Sequence, residues 1–369
     1  MSNIRTDIRG LPNIQEFCKT NDIKHLPNEL FVDHMTKGPM FINQEKIYPV
    51  DFDDFNFRIT YSDEKNIQKM GIINNITENW RKSKKEFRFI NRVTFEHDDY
   101  PFKVDISIVK YGNRLADKFG RENRGPIIRV YTLEESNVFD NEEIYEIELE
   151  VDNLKVGPGT KFNTPLLIVD ALRKGIKFVL SGMQCTNYPI SYPEQKHVMD
   201  SYMNLIWKEE YDKIKYISSR YFIGPNSYTL QMENVAAIDE NSNAPNIRKG
   251  FVVTEKADGE RHLLYISNDG KIYLINTNMD VIFTGAKTAN EECFNSLLDG
   301  ELIAHDKFGK FINLYAAFDI YYINKQDVRS FTFLQMDIEK DSSKSRYNLL
   351  QFIRQNLKID IACFTKEGM

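Results

Sequence analysis

Residues 252–261 read Val-Val-Thr-Glu-Lys-Ala-Asp-Gly-Glu-Arg, and the fold prediction starts from this stretch. The apolar residues predict a strand that ends at Lys256, and Asp258-Gly259 predicts the turn after it. A lysine acts as a covalent nucleophile when its amine is deprotonated, and the planar guanidinium of Arg261 suits a ribose or a phosphate. A surface hairpin with a solvated lysine and arginine explains this stretch, taken alone, equally well.

Two further apolar strands are predicted downstream, and each carries an acid. The segment 297–303 (Leu-Leu-Asp-Gly-Glu-Leu-Ile) contains Glu301, and the segment 314–320 (Leu-Tyr-Ala-Ala-Phe-Asp-Ile) contains Asp319. An aspartate in a buried strand is costly unless it is paired or binds a metal. The neighbouring Phe318 has a ring that can stack on a purine.

These segments, in this order, resemble the covalent nucleotidyltransferase superfamily, which includes mRNA capping guanylyltransferases and ATP-dependent polynucleotide ligases. The resemblance implies that Lys256 attacks the α-phosphate of a nucleotide, expels pyrophosphate and forms a lysyl–nucleotide phosphoramidate. It also implies a divalent cation, Mg²⁺ or Mn²⁺, that neutralises the phosphates. The residues implied in nucleotide binding are Glu255, Asp258, Arg261, Glu301, Phe318, Asp319 and Arg346.

Three glutamates alternate along the strand predicted over residues 145–151. Glu146, Glu148 and Glu150 therefore share one face of the strand, and the apolar residues take the other. Three carboxylates on one face repel one another unless a cation lies among them, and hard divalent metals prefer such oxygen ligands. An edge strand with a charged solvent face also explains this segment.

Basic side chains lie on other alternating segments of the first half of the chain. Together with Asp105 they are predicted to bind a triphosphate: Arg58, Arg88, Arg92, Lys103, Asp105 and Lys110. Glutamates on one wall and cations on the others suit a triphosphate that is bound through a metal. With the Lys-x-Asp-x-Ser pattern at 103–107, this half resembles the tunnel-type, metal-dependent RNA 5′-triphosphatases of viral capping enzymes.

With both halves in one chain, the sequence resembles an mRNA-capping enzyme of large nucleocytoplasmic DNA viruses. The resemblance implies an α+β fold of two domains. Residues 1–220 are expected to form a triphosphatase-like antiparallel β-barrel or tunnel with helices over 166–180 and 197–207. Residues 221–369 are expected to form part of a nucleotidyltransferase domain (ATP-grasp-like, of the ligase and capping type), with two antiparallel sheets that flank the nucleotide cleft.

The implied function is removal of the RNA 5′ γ-phosphate, followed by transfer of GMP from GTP to the diphosphate end through lysyl–GMP. Expected partners are GTP and the 5′ end of nascent mRNA, and a cap methyltransferase domain or subunit is a candidate partner. The expected location is the host cytoplasm (the viral factory) or the virion. No apolar run approaches the roughly 20 residues of a membrane span, so no membrane partner is expected. The net charge of −6 argues against a surface coated with nucleic acid.

The sequence departs from the family pattern towards both ends. It has no second Glu-x-Glu strand before Arg58, and neither an Asp-Gly pair nor a Lys-x-Lys strand after residue 320. The lid that such enzymes close with an oligonucleotide-binding fold is also missing. We therefore expect a portion of a longer enzyme, with weak or no activity by itself.

Two other functions stay open at this stage. An ATP-dependent polynucleotide ligase shares the lysine chemistry, but it has no use for three glutamates behind a basic barrel. A non-catalytic fragment of a capping complex would keep the fold and bind a partner or an RNA end. Covalent labelling by ATP rather than GTP favours the ligase, and nucleotide binding without an adduct favours the scaffold.

Overall fold

The computed structural model describes residues 4–116, 118, 125–335 and 345–361. The chain divides into two compact units, residues 1–176 and residues 177–369. Each contains helices and antiparallel sheets, which confirms the mixed fold that the sequence predicts. In the described ranges, no helix has the length and apolar character that crossing a bilayer requires.

The first unit is built from short helices and antiparallel strands. Its described strands are β1 (Ile4–Ile8), β2 (Val32–Pro39), β3 (Phe41–Ile42), β4 (Glu45–Lys46), β5 (Val50–Phe52), β6 (Phe57–Ile59), β7 (Ser62–Asn66), β8 (Arg88–Glu96), β9 (Phe102–Tyr111) and β10 (Ile144–Val151). Its helices are α1 (Leu11–Thr20), α2 (Met70–Asn79), α3 (Leu133–Ser136) and α4 (Pro165–Gln184), the last of which extends beyond residue 176.

The strands of the first unit form open sheets. Two sheets have three strands each, in the orders β1-β2-β7 and β10-β9-β8, and β3-β4 and β5-β6 are two-stranded. The strand predicted over residues 145–151 is confirmed as part of β10, and the alternating segments that carry Arg88, Arg92 and Lys103 form β8 and β9. None of the sheets formed by described residues closes on itself, so the predicted tunnel is not confirmed.

The second unit is centred on one large antiparallel sheet. Its strands are β11 (Glu260–Ile266), β12 (Lys271–Asn276), β13 (Val281–Thr288), β14 (Ser296–His305), β15 (Phe311–Ile323), β16 (Gln326–Asp327) and β17 (Ile359–Ile361). Its further helices are α5 (Tyr192–Trp207), α6 (Met232–Val235) and α7 (Arg346–Asn356). The seven strands lie in the order β16-β15-β14-β11-β12-β13-β17, so the described residues form one sheet where two were expected.

The second unit has helices on both faces of its sheet because the central strands are apolar on both sides. Tyr202 and Met203 of α5 pack with Leu263 on one face, while Ile353 of α7 packs with Leu264 on the other. Helix α5 begins after Ser191, whose side chain accepts a hydrogen bond from the N–H of Glu194. Because α5 contributes to this core, the structure places it in the second unit. The sequence-based division at residue 220 assigned it to the first domain.

The strand predicted to carry the lysine is not formed. Residues 251–258 have no regular secondary structure, and β11 begins only at Glu260. Val253 is completely exposed, and Phe251 and Val252 are also exposed. The prediction was wrong because it used the apolar residues as evidence of burial, and in this structure they have no surface to pack against.

Candidate active site

Lys256 lies on the exposed loop that precedes β11. Its Nζ donates a hydrogen bond to Oδ1 of Asp258 at 2.6 Å and to the carbonyl of Ala257 at 3.3 Å. The side chain is 81% exposed. Asp258, and to a lesser degree the charge of Glu301, raise the pKa of Lys256 above its usual value. The amine is therefore protonated at neutral pH and is not a nucleophile while it pairs with Asp258.

Arg261 follows the loop on β11 and forms an ion pair with a buried acid. Its Nε and Nη2 donate to the two carboxylate oxygens of Asp299 at 3.0 and 2.5 Å, and its Nη1 donates to the carbonyl of Pro225 at 2.8 Å. Asp299 is completely buried on β14. A bidentate pair fixes the guanidinium plane, so Arg261 is held by protein groups before any nucleotide binds.

Three further contacts hold this pair in place. The hydroxyl of Tyr321 donates to Asp299 at 2.5 Å, and burial raises the pKa of Tyr321, so the hydroxyl stays a donor. The ring of Phe222 lies 5.5 Å from the Arg261 guanidinium carbon. Gly224 has φ +138°, and a Cβ there would lie 2.2 Å from Nη2 of Arg261. Only glycine suits that backbone and that close approach.

Sequence reasoning missed Asp299, Tyr321 and Gly224 as site residues. A signal for Asp299 was present, because it lies two positions before Glu301 and therefore on the same face of β14. The predicted role of Arg261 changes accordingly. Most of its donors are used within the protein, and what it offers to a ligand is charge.

Glu301 has the free acceptor of this site. It lies directly opposite Arg261 in the pairing of β11 with β14. Its Oε2 is buried and has no hydrogen-bond partner among the described residues. Mg²⁺ is commonly bound by one or two carboxylates together with substrate phosphates, so this unpartnered oxygen fits a metal-bound triphosphate or a ribose hydroxyl.

The remaining predicted residues divide into exposed and paired ones. Phe318 is 37% exposed and is the extra residue of a bulge, since Asp299 pairs with Asp319 and Gly300 with Ala317. A partly exposed ring at a bulge suits a base that stacks on it.

Asp319 accepts hydrogen bonds from Nε and Nη2 of Arg346 at 2.8 and 3.3 Å. These two residues join β15 to α7 instead of offering free groups to a nucleotide.

The exposed neighbour of the lysine is Glu255. It lies in the same irregular loop, and its side chain is exposed. The structure therefore brings Arg261 and Glu301 together on neighbouring strands, with Lys256 within electrostatic reach of Glu301. It does not place Glu255 or Arg346 among them.

The sheet β10-β9-β8 of the first unit gathers most of the predicted triphosphate and metal residues on one face. The register aligns residues of β10, β9 and β8 in rows across the sheet, which are Glu146, Ser107 and Arg92, then Glu148, Asp105 and Thr94, then Glu150, Lys103 and Glu96. We call the following set the charged face: Arg88, Arg92, Lys103, Asp105, Glu146, Glu148 and Glu150. Strand alternation predicted this shared face for the three glutamates correctly.

Ion pairs neutralise most of the charged face. Arg92 contacts Glu148, and its Nη1 lies 2.7 Å from Oδ2 of Asp105. Arg88 contacts Glu146, which also accepts a hydrogen bond from the hydroxyl of Tyr111 at 2.6 Å. Because these glutamates are paired with arginines, the set does not fit a metal ion in this arrangement. Over the described ranges, no group of three or more potential ligand side chains is close enough to hold one.

Two of the predicted triphosphate ligands lie apart from the charged face. Lys110 is on the opposite face of β9, because it pairs with Phe89, and its Nζ donates to the carbonyl of Phe139 at 2.9 Å. Arg58 is on β6 and forms an exposed ion pair with Asp51 at 2.5 Å. The structure therefore does not bring these two residues to the charged face, because alternation along a single strand does not show which strands share a sheet.

Comparison with known proteins matches the second unit to one family. Residues 195–356 match the family model for the mRNA capping enzyme, catalytic domain. This segment is related to the catalytic domain of mRNA capping enzymes. We call it the capping domain; its matched range begins in α5 and ends with the last residue of α7.

A viral relative supports the same conclusion. The probable mRNA-capping enzyme of Acanthamoeba polyphaga mimivirus is 28% identical over 188 residues, which are 50% of this chain and 13% of that protein. The resemblance to viral mRNA-capping enzymes is thereby confirmed, and the aligned part is a small fraction of the relative's length. The capping domain contains Lys256 and every nucleotide-binding residue predicted from the sequence.

Proposed function

We propose that the capping domain transfers GMP from GTP to the diphosphate end of RNA through a covalent intermediate on Lys256. The observation that carries the proposal is the pairing of Arg261 with Glu301 across two strands, directly after the lysine loop. One residue supplies a fixed positive charge, and the other supplies an unpartnered carboxylate oxygen. The family match over residues 195–356 supports the same reaction class.

The reaction requires Lys256 to leave Asp258. In the first step, the Nζ lone pair forms a bond to the α-phosphorus, the bond to the bridging oxygen breaks, and pyrophosphate leaves with that electron pair. Before this step the amine gives a proton to Asp258, its nearest acceptor at 2.6 Å, and the neutral amine then leaves that carboxyl group. In the second step, an oxygen of the RNA diphosphate attacks the same phosphorus, and the lysine amine leaves and regains a proton.

Mg²⁺ or Mn²⁺, when bound, would supply positive charge to the triphosphate, and Glu301 is the residue that would hold it. The protein contributes the remaining positive charge through Arg261, which its bond network keeps in place. Phe318 would supply a partly exposed ring for the base.

Labelling with GTP and ATP tests this proposal. The protein is incubated with α-labelled GTP or ATP and either Mg²⁺ or Mn²⁺, denatured and examined on a gel. We expect label from GTP in the wild type and none in Lys256→Ala, while Lys249→Ala serves as a matched control on another exposed lysine. Labelling by ATP alone would identify a ligase instead, and nucleotide binding without any adduct would identify a scaffold.

Hydrolysis of the RNA 5′ γ-phosphate by the first unit is a second proposal. It is favoured by the shared face of Arg88, Arg92 and Lys103, which can bind phosphate oxygens. Phosphate release from triphosphate-ended RNA tests it, with Arg92→Ala expected to lose the activity and Arg58→Ala to keep it. Equal rates of phosphate release by both variants would show that the charged face takes no part in the reaction.

The wider context rests on the resemblance to viral capping enzymes. A cap methyltransferase domain or subunit as partner, the 5′ end of nascent mRNA as acceptor, and a location in the host cytoplasm or the virion are proposals of this kind. Co-purification of the chain with a methyltransferase from infected cells tests the partner, and fractionation of the same cells tests the location.

A further inference from the structure

A cavity of about 480 Å³ lies in the second unit, and none of its lining residues belongs to the predicted active site. Its apolar wall consists of Ile206, Trp207 and Ile223. Helix α5 ends at Trp207, and Lys208 has φ +47°, which turns the chain sharply into the 3-10 helix Lys208–Lys213. Because of this turn, the consecutive residues Trp207, Lys208, Glu209 and Glu210 all line the cavity.

The cavity also has polar groups that have no hydrogen-bond partner among the described residues. The Nε1 of Trp207 is buried and forms no hydrogen bond with any described residue. Arg329 is held by Asp327, whose carboxylate accepts from its Nε at 3.0 Å and its Nη2 at 2.6 Å, and its Nη1 donates to none of the residues that the structure describes. A buried donor without a partner costs free energy, and a ligand that supplies an acceptor recovers it.

The rim of the cavity contains charges of both signs. Lys208, Glu209 and Glu210 line it and are exposed, and none forms an ion pair with another residue in the described part of the chain. A ligand that satisfies this set needs a flat apolar body, donors for a carboxylate, an acceptor for the indole N–H and an anionic group for the cations. Simple phosphate lacks the apolar body, and an aliphatic ligand lacks the polar groups.

Guanine nucleotides have all four features. The base is flat, its O6 accepts a hydrogen bond, and its neighbouring N1–H and N2–H₂ donate to one carboxylate. Adenine presents the N1 lone pair at that edge, which a carboxylate repels. The phosphates suit Lys208 and the fixed guanidinium of Arg329. We propose that this cavity binds a guanine nucleotide, as free GTP or as the guanine end of a capped RNA, separately from the covalent site at Lys256.

Fluorescence measures the binding directly, because the chain contains two tryptophans, Trp80 and Trp207. In Trp80→Phe, Trp207 is the sole reporter. Titration with GTP, ATP and the dinucleotide GpppA should give saturable quenching with GTP or GpppA and at least about tenfold weaker binding of ATP. Quenching by GTP that GpppA does not reproduce would identify the free nucleotide as the ligand, and stronger binding of GpppA would identify the capped end.

Two variants connect the signal to the cavity. The double variant Glu209→Gln, Glu210→Gln should weaken GTP binding about ten- to hundredfold, because it removes the acceptors for the base edge. The matched double variant Glu291→Gln, Glu292→Gln, at exposed glutamates of another 3-10 helix, should leave the quenching unchanged. The Glu209→Gln, Glu210→Gln variant should still form the covalent label, which separates this site from the covalent one. If Trp80→Phe fails to fold, the difference in quenching between the wild type and Trp207→Phe reports the same binding. Equal affinity for ATP and GTP, or GTP binding that is weakened equally by the Glu209/Glu210 variant and by the Glu291/Glu292 variant, would overturn the proposal.

Discussion

The two units both contain arginine–carboxylate pairs on antiparallel strands, but the pairs differ in burial. In the first unit, Arg92 is 30% exposed and its partner Glu148 is 49% exposed. In the capping domain, Asp299 has no exposed surface, and Arg261 is 24% exposed. Water and incoming phosphates can compete for the first pair, whereas removing either partner of the second leaves an uncompensated charge. The same chemistry therefore gives an exchangeable contact in one unit and a fixed one in the other.

The lysine loop is a third case. The Lys256–Asp258 pair is 81% and 92% exposed, and it connects two residues of the same loop rather than two strands. Its separation therefore disturbs no packing. The capping domain therefore combines a fixed pair of neighbouring residues, Arg261 and Glu301, with a lysine that can change partner, as the proposed reaction requires.

The largest effect is expected for Asp299→Ala. The substitution leaves Arg261 without its anion and Tyr321 without its acceptor, so the free energy of unfolding should fall by about 3 kcal/mol. Urea denaturation of the second unit's sheet, followed by circular dichroism, measures it, and Asp299→Asn should lose less because it keeps an acceptor. If the free energy of unfolding falls by less than the roughly 1 kcal/mol that an exposed ion pair contributes, the distinction between fixed and exchangeable pairs is contradicted.

A smaller effect is expected for Arg92→Ala. Asp105 is nearly buried and would keep only the hydrogen bond from Thr94, at 2.6 Å. The free energy of unfolding should therefore fall by about 1–2 kcal/mol. The same denaturation measurement checks it. A loss as large as that of Asp299→Ala would show that the charged face is a structural core and not a site for phosphates.

The pH dependence of labelling sharpens the description of Lys256. Because Asp258 raises the pKa of the amine, the reactive deprotonated fraction should rise about tenfold per pH unit below that pKa. Label formation at early times should therefore increase from neutral to alkaline pH. In Asp258→Asn the pKa falls towards its usual value, so the rise should begin at lower pH. A profile that is the same in both proteins would mean that Asp258 does not control the amine.

The smallest effects are expected for Arg58→Ala and Lys110→Ala. Arg58 forms its ion pair with the exposed Asp51, and Lys110 lies on the other face of β9. Neither substitution should change phosphate release from triphosphate-ended RNA, and Arg58→Ala should not change the urea midpoint measurably. A clear loss of phosphate release in either variant would show that the substituted residue does take part in the reaction, although it lies apart from the charged face.

Alternation along strands predicted much of this arrangement. It placed Glu146, Glu148 and Glu150 on one face, and the order of the apolar segments predicted β14 and β15 with Glu301 and Phe318 on them. Period-two patterns fix which side chains share a face, because successive residues point to opposite sides of a sheet.

Pattern alone could not predict which charges pair. The preference of Asp299 for Arg261 depends on the register between β11 and β14 and on Tyr321, and neither is visible in a single segment. Whether the residues before Lys256 form a strand depends on whether they pack against another part of the folded chain, and the local sequence does not contain that information. The assignment of α5 to the second unit likewise depends on the core that it joins.

The central claim is that Lys256 forms the covalent bond to GMP, and mapping of the modified residue tests it most directly. The protein is incubated with GTP and Mg²⁺ or Mn²⁺, digested, and analysed by tandem mass spectrometry under conditions that preserve phosphoramidates. We predict one modified peptide, with a GMP residue on Lys256 and on no other lysine. GMP attached to a different residue, or AMP from ATP on Lys256 with no GMP adduct, would contradict the account.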